Sequence, residues 1–297
     1  NDWFGEFGQN ASMYVNPAGI VEADQFEASV GMYSTISGAA GQEFITAVYP
    51  IDYNHTIGVT FFENGAKIDN GDAYVENAYM IGYALRVIHA LALGVDLSIL
   101  QVNQFDLNKQ ITLGVDFGVS WNPIANSKFG FLQLGLAVQN LVPPAISTGD
   151  GSQSYAFVFM GAEDSYKIPT NLNASIFWRG LNRSLEAKAE LSLIDIVHEE
   201  AEGGKGNNVE VSFTATYFLS PMLGVRGRLT KEGYPVLGAT VNVKDVNVFR
   251  YLQLDLEMSH DDIIDSKNRG FIWSAKFTTR LGPTREEKIG DDRYRRL

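Results

Sequence analysis

Cysteine is absent from the 297 residues, so neither a disulfide nor a thiolate-held metal can staple the chain. No apolar run approaches the roughly 18 residues that a membrane-spanning helix needs, so any bilayer crossing must be made by strands. Basic residues are the scarcer sign, 23 Lys and Arg against 35 Asp and Glu. The resulting net charge of −12 argues against a phosphate-binding surface, and nucleic acid is not an expected partner. The acids gather largely in expected loops, at Asp69, Asp72, Glu199, Glu200, Glu202, Asp261 and Asp262, where water solvates them. A sustained 3.6-residue period is missing, and no Pro/Gly/Ser linker divides the chain, which reads as one all-β unit.

What is present is a period of two. Ile111, Leu113, Val115, Phe117, Val119 and Trp121 alternate with Thr112, Gly114, Asp116, Gly118 and Ser120, giving a strand with one apolar and one polar face. The pattern recurs at residues 91–99, where Asp96 is on the polar face, at 185–193, with Glu186, Lys188 and Glu190, and at 209–217. A soluble sandwich strand alternates too. About fourteen such segments, from residues 25–34 to 270–280, with charge on several polar faces, instead predict a transmembrane antiparallel up-and-down β-barrel with an even strand count.

The connections agree with this reading. If the amino terminus is periplasmic, long loops belong at 64–74, 142–169, 196–207 and 259–269, and short turns at 88–89, 179–182, 219–221 and 245–247. The turn at 122–129 is longer than the rule expects. Trp121, Trp178, Tyr217 and Trp273 fall where an aromatic girdle belongs. The predicted organisation is a plug at residues 1–24, an outer-membrane barrel at 25–281 and a charged periplasmic extension at 282–297, with both termini periplasmic.

With the polar face turned inward, the lumen receives Glu27, Arg86, Asp96, Asp116, Glu186, Lys188, Glu190, Glu210, Arg226, Arg228, Asp255, Glu257 and Lys276. Both signs are present, which predicts paired charges and a largely occluded interior rather than a single-sign pore.

The segment before the first strand contains Asn16, Pro17, Ala18 and Gly19. This stretch resembles the amino-terminal Asn-Pro-Ala-Gly signature of the fourteen-stranded long-chain fatty-acid transporter (FadL-type) superfamily, which includes the PorV/PorQ-type barrels of type IX secretion. Residues 134–141 (LGLAVQNL) and 219–226 (LSPMLGVR) resemble the PorV-type members. The resemblance implies an outer-membrane barrel whose partners are membrane lipid and either envelope and secreted proteins or a hydrophobic ligand. Two functions follow: a scaffold, anchor or shuttle subunit of a PorV-like, secretion-associated assembly, which is preferred here, or FadL-like transport of hydrophobic small molecules such as fatty acids. The superfamily's transporters are longer than this chain and carry an extended hatch, which weighs against direct lipid uptake.

The longest loop carries Tyr155, Phe157, Val158, Phe159 and Met160, an apolar run suited to a lid, an extra hairpin, or a partner or ligand surface. His198 with Glu199 and Glu200, and His260 with Asp261 and Asp262, are read as solvated acidic loops rather than a metal site. The glycines around Lys205 lack the spacing of a phosphate loop, and no nucleophile or zinc motif is present. No catalytic residue, metal site or cofactor is assigned, and an enzyme is not expected.

Overall fold

The computed structural model describes residues 13–35, 40–67, 73–104, 107–127, 129–142, 145–147, 165–167, 169–181, 184–194, 196, 208–230, 235–246, 249–261 and 270–284. A helical turn at residues 13–15 leads into a 3₁₀ helix, Pro17–Glu22. The strands that follow are β1 (Phe26–Thr35), β2 (Ala40–Pro50), β3 (His55–Lys67), β4 (Ala73–Ile88), β5 (Leu91–Gln104), β6 (Leu107–Ser127), β7 (Gly130–Val142) and β8 (Ala145–Ser147). They continue as β9 (Ser165–Lys167), β10 (Asn171–Gly180), β11 (Leu185–Ile194), β12 (Asn208–Ser220), β13 (Leu223–Thr230), β14 (Pro235–Val246), β15 (Phe249–Asp261) and β16 (Gly270–Leu281).

All strands but β8 and β9 close one antiparallel barrel, each pairing with its neighbours in sequence except that β7 meets β10 and β16 returns to β1. The seam between β1 and β16 runs in register from Phe26 opposite Leu281 to Thr35 opposite Ile272. Inside the barrel it is fastened by a hydrogen bond between the hydroxyls of Ser29 and Thr278 at 2.8 Å and by an ion pair between Glu27 and Arg280.

The period-two pattern explains the wall. Outward residues such as Ile45, Ile81, Leu97, Ile176, Leu237 and Met258 are exposed, Leu237 at 68% and Ile81 at 60%. Facing water, this belt would forfeit about 25 cal/mol for each Å2 of apolar surface; facing hydrocarbon, it is the lipid-contacting band of a membrane barrel. The inward residues reverse the rule for soluble proteins. Glu27, Asp96, Asp255, Glu257 and Lys276 are buried, and so are Thr46, Thr216 and Thr240.

Three local features depart from the strand pattern read in the sequence. The expected turn at 122–129 is mostly strand, because β6 runs on to Ser127. Its neighbour β5 ends at Leu91, opposite Trp121, so beyond that point β6 has only β7 to pair with. Pro123, which has no N–H to donate, is tolerated on this free edge, and register slips absorb it. Trp121 therefore lies six residues inside its strand rather than at the end, still facing outward.

The second feature is a bulge in β7. Val115 and Phe117 of β6 pair with Val142 and Val138, leaving three β7 residues opposite Asp116. Asn140 takes a left-handed conformation there (φ 53°), which Asn tolerates better than most residues. Its side-chain amide donates to the Pro169 carbonyl at 2.9 Å, and Thr170 Oγ1 donates to the Asn140 carbonyl at 2.9 Å, tying β7 to the start of β10. Third, the long connection between β7 and β10 begins and ends in a small antiparallel ladder, β8 with β9. The Tyr155–Met160 run lies outside the described residues, as do the first twelve residues and the charged stretch beyond Thr284.

Candidate functional site

The Asn-Pro-Ala-Gly stretch is a structural joint. Asn16 caps the 3₁₀ helix, its Oδ1 accepting from the Ala18 amide at 3.0 Å, while its Nδ2 donates to the Val119 carbonyl of β6 at 2.9 Å. Pro17 occupies the first helical position, where its lack of an N–H costs nothing. Ala18 lies so close to β5 that a Cβ on Gly94 would stand 2.2 Å from the Ala18 nitrogen. Gly118 is equally constrained, since a Cβ there would meet Asn16 Oδ1 at 2.0 Å. Both glycines are required by the backbone's approach to the plug.

Around this joint the plug is bolted to one side of the lumen. Met13, Ile20 and Val21 are fully buried against Phe44 and Val48 of β2, Phe62 of β3, Met80 and Ala84 of β4, and Ala92 of β5. Tyr14 meets Phe62 edge-on, with ring centroids 5.2 Å apart. Each fully buried aliphatic side chain contributes about 1.5–3 kcal/mol to this docking before ordering costs. Polar ties finish it. Arg86 of β4 donates to the Val21 carbonyl at 3.2 Å and pairs with Glu22 at 3.4 Å, Asn122 of β6 donates to Glu22 at 2.9 Å, and Gln139 of β7 donates to the Tyr14 carbonyl.

The opposite side of the lumen is built from ion pairs. Arg179 of β10 pairs with Glu186 of β11 at 2.6 Å, and Lys188 pairs with Glu190 within β11. Arg226 of β13 reaches Glu257 at 2.7 Å and Asp255 at 3.6 Å, both on β15, and donates to Thr216 of β12 at 3.1 Å. Asp255 also accepts from Thr240 at 2.6 Å and from Gln253, and lies 4.0 Å from Lys276 of β16. Arg280 stacks over Tyr251, 4.5 Å from the ring centre. Arg179, Lys188, Arg226, Lys276 and Arg280 each lie within 4.0 Å of an acid.

Between plug and charged wall lies a cavity of about 190 Å3. The plug contributes Val15, Asn16, Gly19 and Glu22; β6 and β7 contribute Ser120, Gln133 and Gly135; β10 and β11 contribute Ser175, Phe177, Arg179, Glu186, Lys188 and Glu190; Thr214, Thr216 and Arg226 complete it. The space can take a small solute against one aromatic ring and a rim of hydroxyl, amide and charged groups.

The residues expected to form a polar network are thus divided by the structure. Glu186, Lys188, Glu190, Arg226, Asp255 and Lys276 belong to the charged wall, and Arg228 is buried beside it on β13. Asp96 and Asp116 do not join them. They stand directly opposite each other on β5 and β6, both buried, and among the described residues neither carries an ion-pair partner. Asp116 accepts from the Asn140 amide at 2.6 Å, a bond the β7 bulge creates, while neither carboxylate oxygen of Asp96 has a hydrogen-bond partner among the described residues. The expectation that Asp116 faces opposite charges is corrected here: its cross-strand partner is another acid.

Two contributors were not assigned from sequence. Arg179 had been placed in a turn, yet Asn173, Ser175 and Phe177 already set the inward parity that it continues. Arg280 lies within the last expected strand, 270–280, and was left out of the inward set. Of the histidines, His55 bonds Tyr83 and His89 bonds Tyr53 at 2.6 Å near the short-turn end, while His198 lies outside the described residues and His260 is part of β15 rather than a loop. Among the described residues no group of three metal-ligating side chains converges.

No protein-family model matches the sequence, and no curated protein does so. Solved structures do match. A Pseudomonas aeruginosa FadL homologue aligns with a TM-score of 0.66 and 11% identity over 93% of this chain and 96% of its own. The CymD monoaromatic hydrocarbon channel aligns at 0.65 with 10% identity, covering 93% and 94% of the two chains. The Pseudomonas putida toluene transporter TodX aligns at 0.56 with 10% identity over 91% and 92%. Fourteen-strand closure and near-complete mutual coverage together give this chain the FadL-type outer-membrane barrel fold.

Proposed function

We propose that the chain is an outer-membrane transporter for small hydrophobic molecules, oriented with its short turns and both termini on the periplasmic side. The observation that carries this reading is the off-centre plug. It occupies the β2–β7 side of the lumen and leaves a solute-sized cavity beside it, inside a fold shared along nearly its whole length with hydrocarbon channels. Around the cavity the acids and bases pair, unlike the single-sign constriction that selects ions. The scaffold reading came from the PorV-type resemblance and the expected occluded interior, and the solved structures that match favour the transport reading instead.

The test uses cells whose outer membrane carries the folded chain, compared with cells lacking it, supplied with low external concentrations of radiolabelled benzyl alcohol and toluene. At least one of these compounds is expected to enter several-fold faster through the chain-bearing membrane. Equal uptake with the barrel demonstrably folded in that membrane overturns the proposal.

A further inference from the structure

The cavity's chemistry narrows the solute, given the transport reading on which this step rests. A cavity of roughly 150 Å3 takes up benzene, so about 190 Å3 admits one ring with a substituent. The formal charges on its lining cancel: Glu22, Glu186 and Glu190 stand against Arg179, Lys188 and Arg226. Each of these is already engaged. Glu22 pairs with Arg86, Arg179 with Glu186, Lys188 with Glu190, and Arg226 with Glu257 and Asp255.

An incoming carboxylate must take a base from its acid and leave that acid unmatched within the lumen, at most cost beside Arg226, whose partners Glu257 and Asp255 are buried. A bare hydrocarbon fares little better. It covers hydroxyl, amide and charged groups of the lining without replacing the hydrogen bonds they make to water. A neutral solute with both a donor and an acceptor avoids both penalties. Its apolar body lies against Val15 and Phe177, and its polar group exchanges one set of hydrogen bonds for another.

We infer that this cavity selects a single-ring-sized solute carrying an uncharged hydrogen-bonding group, an alcohol, phenol or amide, over the matching hydrocarbon and the matching carboxylate. The experiment compares toluene, benzyl alcohol and benzoate binding to the purified full chain in detergent by isothermal titration calorimetry. Benzyl alcohol is expected to bind at least tenfold more tightly than either of the others. Replacing one lining acid, Glu186→Gln or independently Glu190→Gln, leaves a base in excess, and the affinity ratio of benzyl alcohol to benzoate is then expected to fall at least tenfold. Toluene or benzoate binding most tightly to the unaltered chain overturns the inference and leaves the transport reading standing. An unmoved ratio in both variants, each confirmed folded by its electrophoretic shift on heating, does the same. Failure of all three compounds to bind removes this cavity as a transport site altogether.

Discussion

Across the lumen, β2–β7 meet the plug chiefly with small and apolar side chains, whereas β10–β13 meet the cavity with ion pairs that reach on to β15. Both faces arise from the same alternation of inward and outward residues. The difference lies in the size of what points inward. Where the plug's backbone has to touch a strand, as Ala18 does at Gly94, the wall gives up its side chains. Where nothing docks, long charged side chains cross from strand to strand and enclose a space that small solutes can share. One half of the lumen is therefore a seat and the other a working surface.

The strongest blow to this contrast is Arg226→Met. Removing the base that meets Glu257 and Asp255 leaves two buried acids under-compensated, and a loss of about 3–5 kcal/mol is expected, read from denaturant unfolding in detergent. Gly94→Val comes next. A Cβ 2.2 Å from the plug backbone forces the plug off its seat, with a stability loss of about 1–3 kcal/mol and severalfold higher conductance in planar bilayers. Gly227→Ala, where an added Cβ meets nothing within 4 Å, leaves both quantities unchanged and marks the effect as local.

The smallest effect is the most telling about the seat. A Cβ built on Gly82 lies 3.0 Å from Met13 Cγ, the separation a disulfide places between one cysteine's Cβ and its partner's sulfur, so Met13→Cys with Gly82→Cys locks the plug in a chain that has no other cysteine. Solute uptake in the oxidised double variant is expected to match that of the unaltered chain. If oxidation blocks uptake and reduction restores it, the plug has to move, and the division of the lumen into seat and working surface fails.

How much of this could be read in advance follows from the distances involved. The alternation along residues 111–121 is local, and in the structure Asp116 and Ser120 of that stretch are buried. The plug joint was visible as four consecutive residues. Pairings between strands were not, because they depend on register and on bulges. Arg226 reaches over β14 to Glu257 on β15, a relation that no window of sequence contains. Asp96 meets Asp116 for the same reason, through a ladder position rather than a motif. The turn expected at 122–129 failed in a different way: it is mostly strand, and Pro123 within it is harmless because that edge of β6 has no neighbour.

The seam has a consequence for biogenesis. Apart from β7 with β10, every wall pairing except the seam joins strands adjacent in sequence, so hairpins can form as soon as their two arms exist. The clasp between Ser29 and Thr278 spans 249 positions, and no earlier pairing can stand in for it. Until β16 arrives, β1 offers a bare row of amides and carbonyls to any passing strand. Because the plug runs straight into β1, sealing the wall also traps the plug on the inside. A chain truncated before β16 is therefore expected to be sticky rather than merely leaky.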